Sequence, residues 1–103
     1  MSVVISAKVE VKNCSPELLR EAAKILGAKY DGAVRVGRVA VYAERGALKA
    51  LADSDYVSRE KLKRVLGQVR DAVIAAEIVR AAKMMGKSVS VRAGESGIAL
   101  EVF

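Results

Sequence analysis

The chain has 103 residues, of which 52% are hydrophobic and 29% charged, and its formal net charge is +6. This length predicts one domain over residues 1–103 with a single modest core, and the composition is typical of a folded protein. Because the chain contains no His, histidine-dependent triads, general bases and metal ligands are excluded. Its one cysteine, Cys14, excludes an internal disulfide and a cysteine-type zinc site. We therefore expect a non-enzymatic protein with no cofactor and no metal.

The hydropathy of the chain predicts no membrane segment. No apolar run approaches the roughly 18 to 20 residues that a spanning helix needs. The N-terminal MSVVISAKVEVK lacks the charged and long apolar regions of a signal peptide, so the expected location is the cytoplasm. Asn and Gln occur once each while Lys, Arg and Glu are abundant, a balance typical of thermophilic proteins. The positive net charge suits an anionic partner such as RNA or DNA.

The first half of the chain predicts strands around one helix. Residues 3–12 alternate apolar and polar side chains, which is typical of a strand with one buried face. In NCSPELLREAAKILG, Ser15 is the predicted N-cap and Gly27 the predicted end of a helix. The next segment, AKYDGAVRVGRVAVYAE, predicts a hairpin with its turn at 37–38. For the segment 45–56 two interpretations stay open, a loop or a short helix around 47–52.

The second half predicts a long helix followed by two strands. Ser58 is the predicted N-cap of a helix that runs to Met85 and is stopped by Gly86. KSVSVRAGESGIALEVF predicts strands over 88–93 and 98–103, joined by a turn. The strand residues expected to face inward are all aliphatic: Val89, Val91, Ile98, Leu100 and Val102.

These elements predict an α+β fold of the order β-α-β-β-α-β-β. Alternating strands and helices with one-sided apolar stripes require two layers, so we expect a mostly antiparallel sheet with two helices packed on one face. The β-α-β-β-α-β portion corresponds to the ferredoxin-like arrangement, here extended by a terminal strand.

Two segments also carry a resemblance to known proteins. SPELLREAAKILG after a strand, and a long helix ending in glycine before VSVRAGESGIALEVF, resemble small conserved proteins of unknown function found in cyanobacteria and algal plastids. The resemblance covers the two ends of the chain. It implies a fold and no chemistry, since no active residues are attributed to that family.

The start of the long helix, VSREKLKRVLGQVR, is its most basic stretch. Arg59, Lys63 and Arg70 lie on one flank, beside the apolar stripe expected to pack on the sheet. Glu60 and Arg64 are spaced to form an i,i+4 ion pair. The three aligned cations are candidate nucleic-acid contacts, and a solvated helix flank is the alternative interpretation.

The same helix carries a second apolar stripe close to opposite the first. Its members are Gly67, Ile74, Ile78, Ala81 and Met85. A helix that is apolar on two sides must bury both, and a single sheet covers only one. The second stripe could be buried within the chain, by the first helix or the segment 45–56, or by a second copy of the chain in a homodimer.

The solvent-facing side of the sheet supplies the remaining candidates for nucleic-acid contact. Lys8, Arg35 and Arg92 fall at outward positions of predicted strands. The aromatic-rich pattern of RNA-binding sheets of this topology is missing, so base stacking is not expected there. The leading hypothesis is therefore a protein-interaction or assembly module, as a homodimer or a subunit of a larger complex. The alternative is an RNA-binding protein.

Overall fold

The computed structural model describes residues 3–103; Met1 and Ser2, which the predicted domain includes, lie outside the described part. The strands in this range are β1 (Val4–Glu10), β2 (Lys29–Tyr30), β3 (Val34–Val36), β4 (Val39–Glu44), β5 (Ala47–Asp53), β6 (Val89–Gly94) and β7 (Gly97–Val102). The helices are α1 (Pro16–Leu26) and α2 (Arg59–Met84). The fold is α+β, with a five-stranded sheet, two helices and a separate two-stranded hairpin.

The main sheet has the strand order β1-β5-β4-β3-β2, and every neighbouring pair is antiparallel. Ile5 lies opposite Ala52, and Val9 lies opposite Leu48. Because side chains alternate along a strand, this register places the apolar residues of β1 and β5 on one face. The predicted first strand, with one buried and one solvated face, is confirmed over 4–10.

Segment 45–56 contains β5, a strand inside the sheet, so both the predicted loop and the predicted short helix are wrong. Arg45 (φ 46°) and Gly46 (φ 76°) adopt positive φ, as a two-residue type I′ turn requires. This turn places Glu44 opposite Ala47 and starts β5. The alanine-rich ALKALAD has low strand propensity, but β1 and β4 pair with it on both sides. Tertiary pairing therefore overrides the local preference.

Both helices begin at the predicted serine caps. The Ser15 hydroxyl accepts a hydrogen bond from the Leu18 N–H at 3.2 Å, and the Ser58 hydroxyl accepts one from the Lys61 N–H at 3.1 Å. Gly27, at φ 67°, ends α1 in the left-handed conformation that glycine adopts at low cost. The caps satisfy backbone donors that the first turn leaves unpaired, which is why short polar residues mark these ends. The helix α2 ends one residue before the predicted position.

The core lies between the main sheet and the two helices. Its largest fully buried side chains come from both layers: Leu19, Val34, Val39, Val41, Leu48, Leu62, Val69 and Val73. The predicted first stripe of α2 therefore packs on the sheet, as the helical periodicity indicated.

The C-terminal strands do not join the main sheet, so the ferredoxin-like order with a terminal strand is not confirmed. That order needs the strand after the second helix to lie in the same sheet as β1. Here β5 already pairs with β1, and β6 and β7 pair only with each other. The hairpin packs instead on the two helices, β6 against α1 and α2 and β7 against α2. Of its residues predicted to face inward, Val89, Val91, Ile98 and Leu100 are half-buried there, while Val102 is exposed because the helices do not cover the end of the hairpin.

Candidate functional site

The second side of α2 is partly covered by the β6–β7 hairpin, a cover that sequence reasoning did not consider. Ala75 lies beneath the hairpin and is buried. Ile74 and Ile78 remain 46% and 41% exposed. They line a shallow cleft of about 210 Å³ together with Ile98 and Leu100 of β7. The hairpin residues that line this cleft belong to β7 and none belongs to β6, so the two isoleucines are associated with the β7 side of the hairpin.

The exposed apolar side chains continue toward the end of α2. Ala81 and Met85 follow Ile78 at helical spacing, and both are exposed. Phe103 is also exposed at this end, where its N–H and C=O pair with the backbone of Ser88, but alternation along the strand places its side chain on the same face as Glu101, away from the apolar face of the hairpin. We call the set the α2–β7 surface and define it by residues from both elements: Ile74, Ile78, Ala81, Met85, Ile98, Leu100 and Val102.

Of the five predicted interface residues, Gly67 lies elsewhere. It lines a larger cleft of about 740 Å³ between the start of α2 and the tip of the hairpin. The cleft is also lined by the C-terminal end of α1 and the β3–β4 turn. Because Gly67 has no side chain, it contributes space to this cleft and no apolar contact to the α2–β7 surface.

Four cations line the larger cleft, which we call the basic cleft: Arg35, Lys63, Arg64 and Arg70. Arg35, Lys63 and Arg70 belong to the six predicted nucleic-acid contacts. The fold brings Arg35 to the helix flank from a distant part of the sequence. Arg64 was missed because the sequence pairs it with Glu60. No such pair forms. Asp71 and Glu95 also line the cleft and reduce its positive charge.

The other three predicted contacts lie apart from the basic cleft. Lys8 is on the outer face of the main sheet, directly opposite Lys49 of β5. Arg59 is exposed at the first position of α2. Arg92 is exposed and pairs with Ala99, at positions that alternate with the apolar face of the hairpin. The six residues therefore do not form one surface.

Two of the four cleft cations are engaged in ion pairs. Arg35 bonds Asp31 at 2.8 Å, and this hydrogen bond lowers the pKa of the Asp31 carboxyl. Arg70 approaches Asp71 at 3.2 Å. Neither Lys63 nor Arg64 has an acidic partner within 4.0 Å in the part of the chain that the structure describes. The cleft therefore offers an anion two unpaired cations and two that are partly neutralised.

Cys14 lies just before α1 and packs against the core. Burial, and then the negative charge of Glu77, raises the pKa of its thiol. A reactive thiol at a helix N-terminus has a lowered pKa, so the opposite direction here is typical of a cysteine that serves in packing.

We expect iodoacetamide to alkylate Cys14 at least about threefold more slowly in the folded protein than in the urea-unfolded chain, because less thiolate is present. Mass spectrometry over time would measure both rates at one mildly alkaline pH. Glu77→Gln should raise the folded rate by removing the nearby anion. Equal rates in the two states would contradict this reading.

Within residues 3–103, no group of three or more Cys, Asp or Glu side chains is placed to hold a metal ion. Over the same residues, neither helix combines the length and the apolar character needed to cross a membrane. The chain matches no family model, and neither a curated protein nor a solved structure shows significant similarity to it.

Proposed function

We propose that this chain is a non-enzymatic assembly module of the cytoplasm that acts as a homodimer, with the α2–β7 surface as its interface. The observation that carries the proposal is the exposure of Ile74 and Ile78 beside a half-covered apolar hairpin. Scattered exposed apolar residues are normal, but a contiguous set indicates an interaction surface. This set spans about three turns of α2 and the length of β7.

The total surface of the chain is large enough for such an interface. A compact monomer of 11.0 kDa exposes about 5,600 Å² by the usual scaling with mass. This chain exposes 6843 Å². The chain therefore exposes about 1,200 Å² more than expected. Each partner in a stable dimer of standard size buries about 800 Å², which is less than this difference. The extents of 53 × 28 × 21 Å show an elongated molecule, which accounts for this excess.

The residues of the α2–β7 surface suit a twofold interface. Isoleucine and leucine side chains form its centre, while Met85 supplies a large, flexible side chain at one end. Ala81 is small and lets a second helix or strand approach closely. Asp71 and Arg70, paired at 3.2 Å, lie at the other end and provide a polar rim. An isologous contact needs one self-complementary surface, and an apolar surface of this shape meets that need.

Sedimentation equilibrium of the purified protein over a range of concentrations tests the proposal. The expected result is a mass of twice 11.0 kDa that falls toward the monomer value only on strong dilution. A monomer mass at every concentration would rule out the homodimer.

The clustering of Arg35, Lys63 and Arg70 favours a second candidate, RNA binding at the basic cleft. Single-stranded RNA would place backbone phosphates near the unpaired cations Lys63 and Arg64. Two to four phosphate contacts give weak and strongly salt-dependent affinity. The candidate ranks second because Asp71, Glu95 and the C-terminal end of α1 also line the cleft.

We expect Lys63→Glu to weaken binding of a fluorescent single-stranded RNA and to reduce the salt slope of binding by about 1. Lys61→Glu is the matched control, since it makes the same charge change on the same helix outside the cleft. A titration at about 50 mM salt maximises the electrostatic contribution. No binding by the native protein, or equal losses in both variants, would dismiss this candidate.

A further inference from the structure

The outer edge of β7 carries backbone groups with no partner in the described chain. Ser88 and Phe103 exchange two backbone hydrogen bonds, so they form a hydrogen-bonded pair of the antiparallel hairpin. Because such pairs alternate with non-hydrogen-bonded pairs, Val91 and Leu100 belong to the second kind. In β7, the N–H and C=O groups of residues 98, 100 and 102 therefore point away from β6.

This edge lacks most of the features that keep strand edges from pairing. Proteins protect their edges with short strands, lysines, prolines and bulges. The edge strand β2 has two residues, and β1 carries Lys8 at its middle. β6 carries Arg92 and lies toward α1. β7 reads GIALEV, has no Lys, Arg or Pro, and pairs with β6 in a continuous register; its one charged residue is Glu101.

A hairpin of two strands is also a marginal structure by itself. Sheets usually need three or more strands, or a packed face, to be stable in water. Here the packed face is incomplete, because Val102 is 49% exposed and Leu100 is only half-buried. A further strand added at β7 would extend the sheet on the side of the hairpin where Ile74 and Ile78 share a cleft with Ile98 and Leu100.

We propose that β7 pairs antiparallel with β7 of a second copy, so that the two hairpins form one four-stranded sheet β6-β7-β7-β6 across the dimer axis. This proposal rests on the homodimer proposed above and specifies its backbone contacts. The sheet places Ile98 and Leu100 of each copy near Ile74 and Ile78 of the other. A strand paired antiparallel with itself obeys the twofold symmetry of the dimer.

Side-chain alternation and charge select the register. The apolar residues of β7 that face the helices must lie opposite the same kind of residue in β7 of the second copy. A slip of the pairing by one residue would turn the apolar side chains of one strand to the solvent. With Leu100 opposite Leu100 of the second copy, Ile98 lies opposite Val102, and residues 97–103 are used in full. Glu101 then lies opposite Ala99, whereas a shift that placed it opposite itself would bring like charges together.

Amide hydrogen exchange of the native protein tests the pairing directly. As the protein is concentrated from monomer to dimer, exchange at residues 98, 100 and 102 should slow by about tenfold or more, because their N–H groups become hydrogen-bonded. The N–H groups of Ala99 and Glu101 already bond within the hairpin and serve as internal controls.

A pair of proline variants supplies the second measurement. Leu100→Pro removes an N–H on the outer edge of β7, and Val91→Pro removes the equivalent N–H on the outer edge of β6. We expect Leu100→Pro to raise the dimer dissociation constant at least about tenfold more than Val91→Pro does. Circular dichroism checks that both variants fold, and the exchange experiment does not depend on them.

The outcomes separate the two proposals. A dimer whose exchange at residues 98, 100 and 102 stays fast overturns strand pairing and leaves the homodimer intact. A protein that stays monomeric at every concentration overturns both. Slowed exchange at these three residues in the dimer supports both.

Discussion

Replacing Ile78 with Asp is expected to convert the proposed dimer to a monomer, with a dissociation constant raised by about 100-fold or more. The substitution places a carboxylate from each copy at the centre of an apolar contact, where burial of an unpaired charge costs several kcal/mol. A change of 1.4 kcal/mol corresponds to a factor of ten, so about 3 kcal/mol gives this loss. Sedimentation equilibrium would measure the two dissociation constants.

The fold should tolerate Ile78→Asp, because this side chain is 41% exposed in one copy of the chain. The lower helix propensity of Asp costs about 0.5 kcal/mol at an exposed helix position. Val4→Asp is the matched control, since Val4 is a 69% exposed aliphatic residue on β1, outside the α2–β7 surface. If both variants weakened the dimer equally, the interface would lie elsewhere.

Leu48→Ala is expected to lower the free energy of unfolding by about 2 to 5 kcal/mol, the usual range for deleting a buried leucine. Leu48 is fully buried on the inner face of β5. Leu51 lies on the opposite face of the same strand and is half-buried, so Leu51→Ala should cost about 1 kcal/mol. Urea unfolding would measure the difference, with both changes made in the monomeric Ile78→Asp background so that dissociation does not contribute.

This comparison tests the strand that sequence analysis missed. In a helix over 47–52, Leu48 and Leu51 would share a face because they are three residues apart. The two substitutions would then have similar costs. In a strand the two side chains point to opposite faces, and the costs differ. Equal losses would contradict the position of β5 in the sheet.

Local signals predicted the elements whose ends depend on local chemistry. Ser15 and Ser58 cap helices through their own hydroxyls, and Gly27 ends α1 through its own backbone freedom. The alternation of β1 and the turn at Gly37 also depend on neighbouring residues alone. These parts of the fold were predicted correctly because a few adjacent residues determine them.

Two features depended on distant pairing and were missed. The strand propensity of β5 is low, and its position is decided by β1 and β4. A usable signal was present, since Arg45-Gly46 between two alternating segments is compatible with a type I′ turn. The separate hairpin had no such signal. Its alternation predicts one buried face but does not indicate whether that face packs on the sheet or on the helices.

The candidate site was also predicted only where local sequence patterns determine it. Helical periodicity placed Ile74, Ile78 and Met85 on one side of α2, and all three are exposed there. The same periodicity included Gly67. In the fold, however, Gly67 lines the basic cleft together with the hairpin tip and the β3–β4 turn. Arg35 reaches Lys63 only through the fold, so no spacing in the sequence could group them.

The measurement that tests the proposed interface most directly is an isotope-filtered NOE experiment on a dimer mixed from labelled and unlabelled chains, since it detects only contacts between copies. We expect NOEs from the methyl groups of Ile74 and Ile78 in one copy to Ile98 and Leu100 in the other. A mixed dimer whose intermolecular NOEs arise only from the outer face of the main sheet, around Lys8 and Lys49, would contradict the proposed interface.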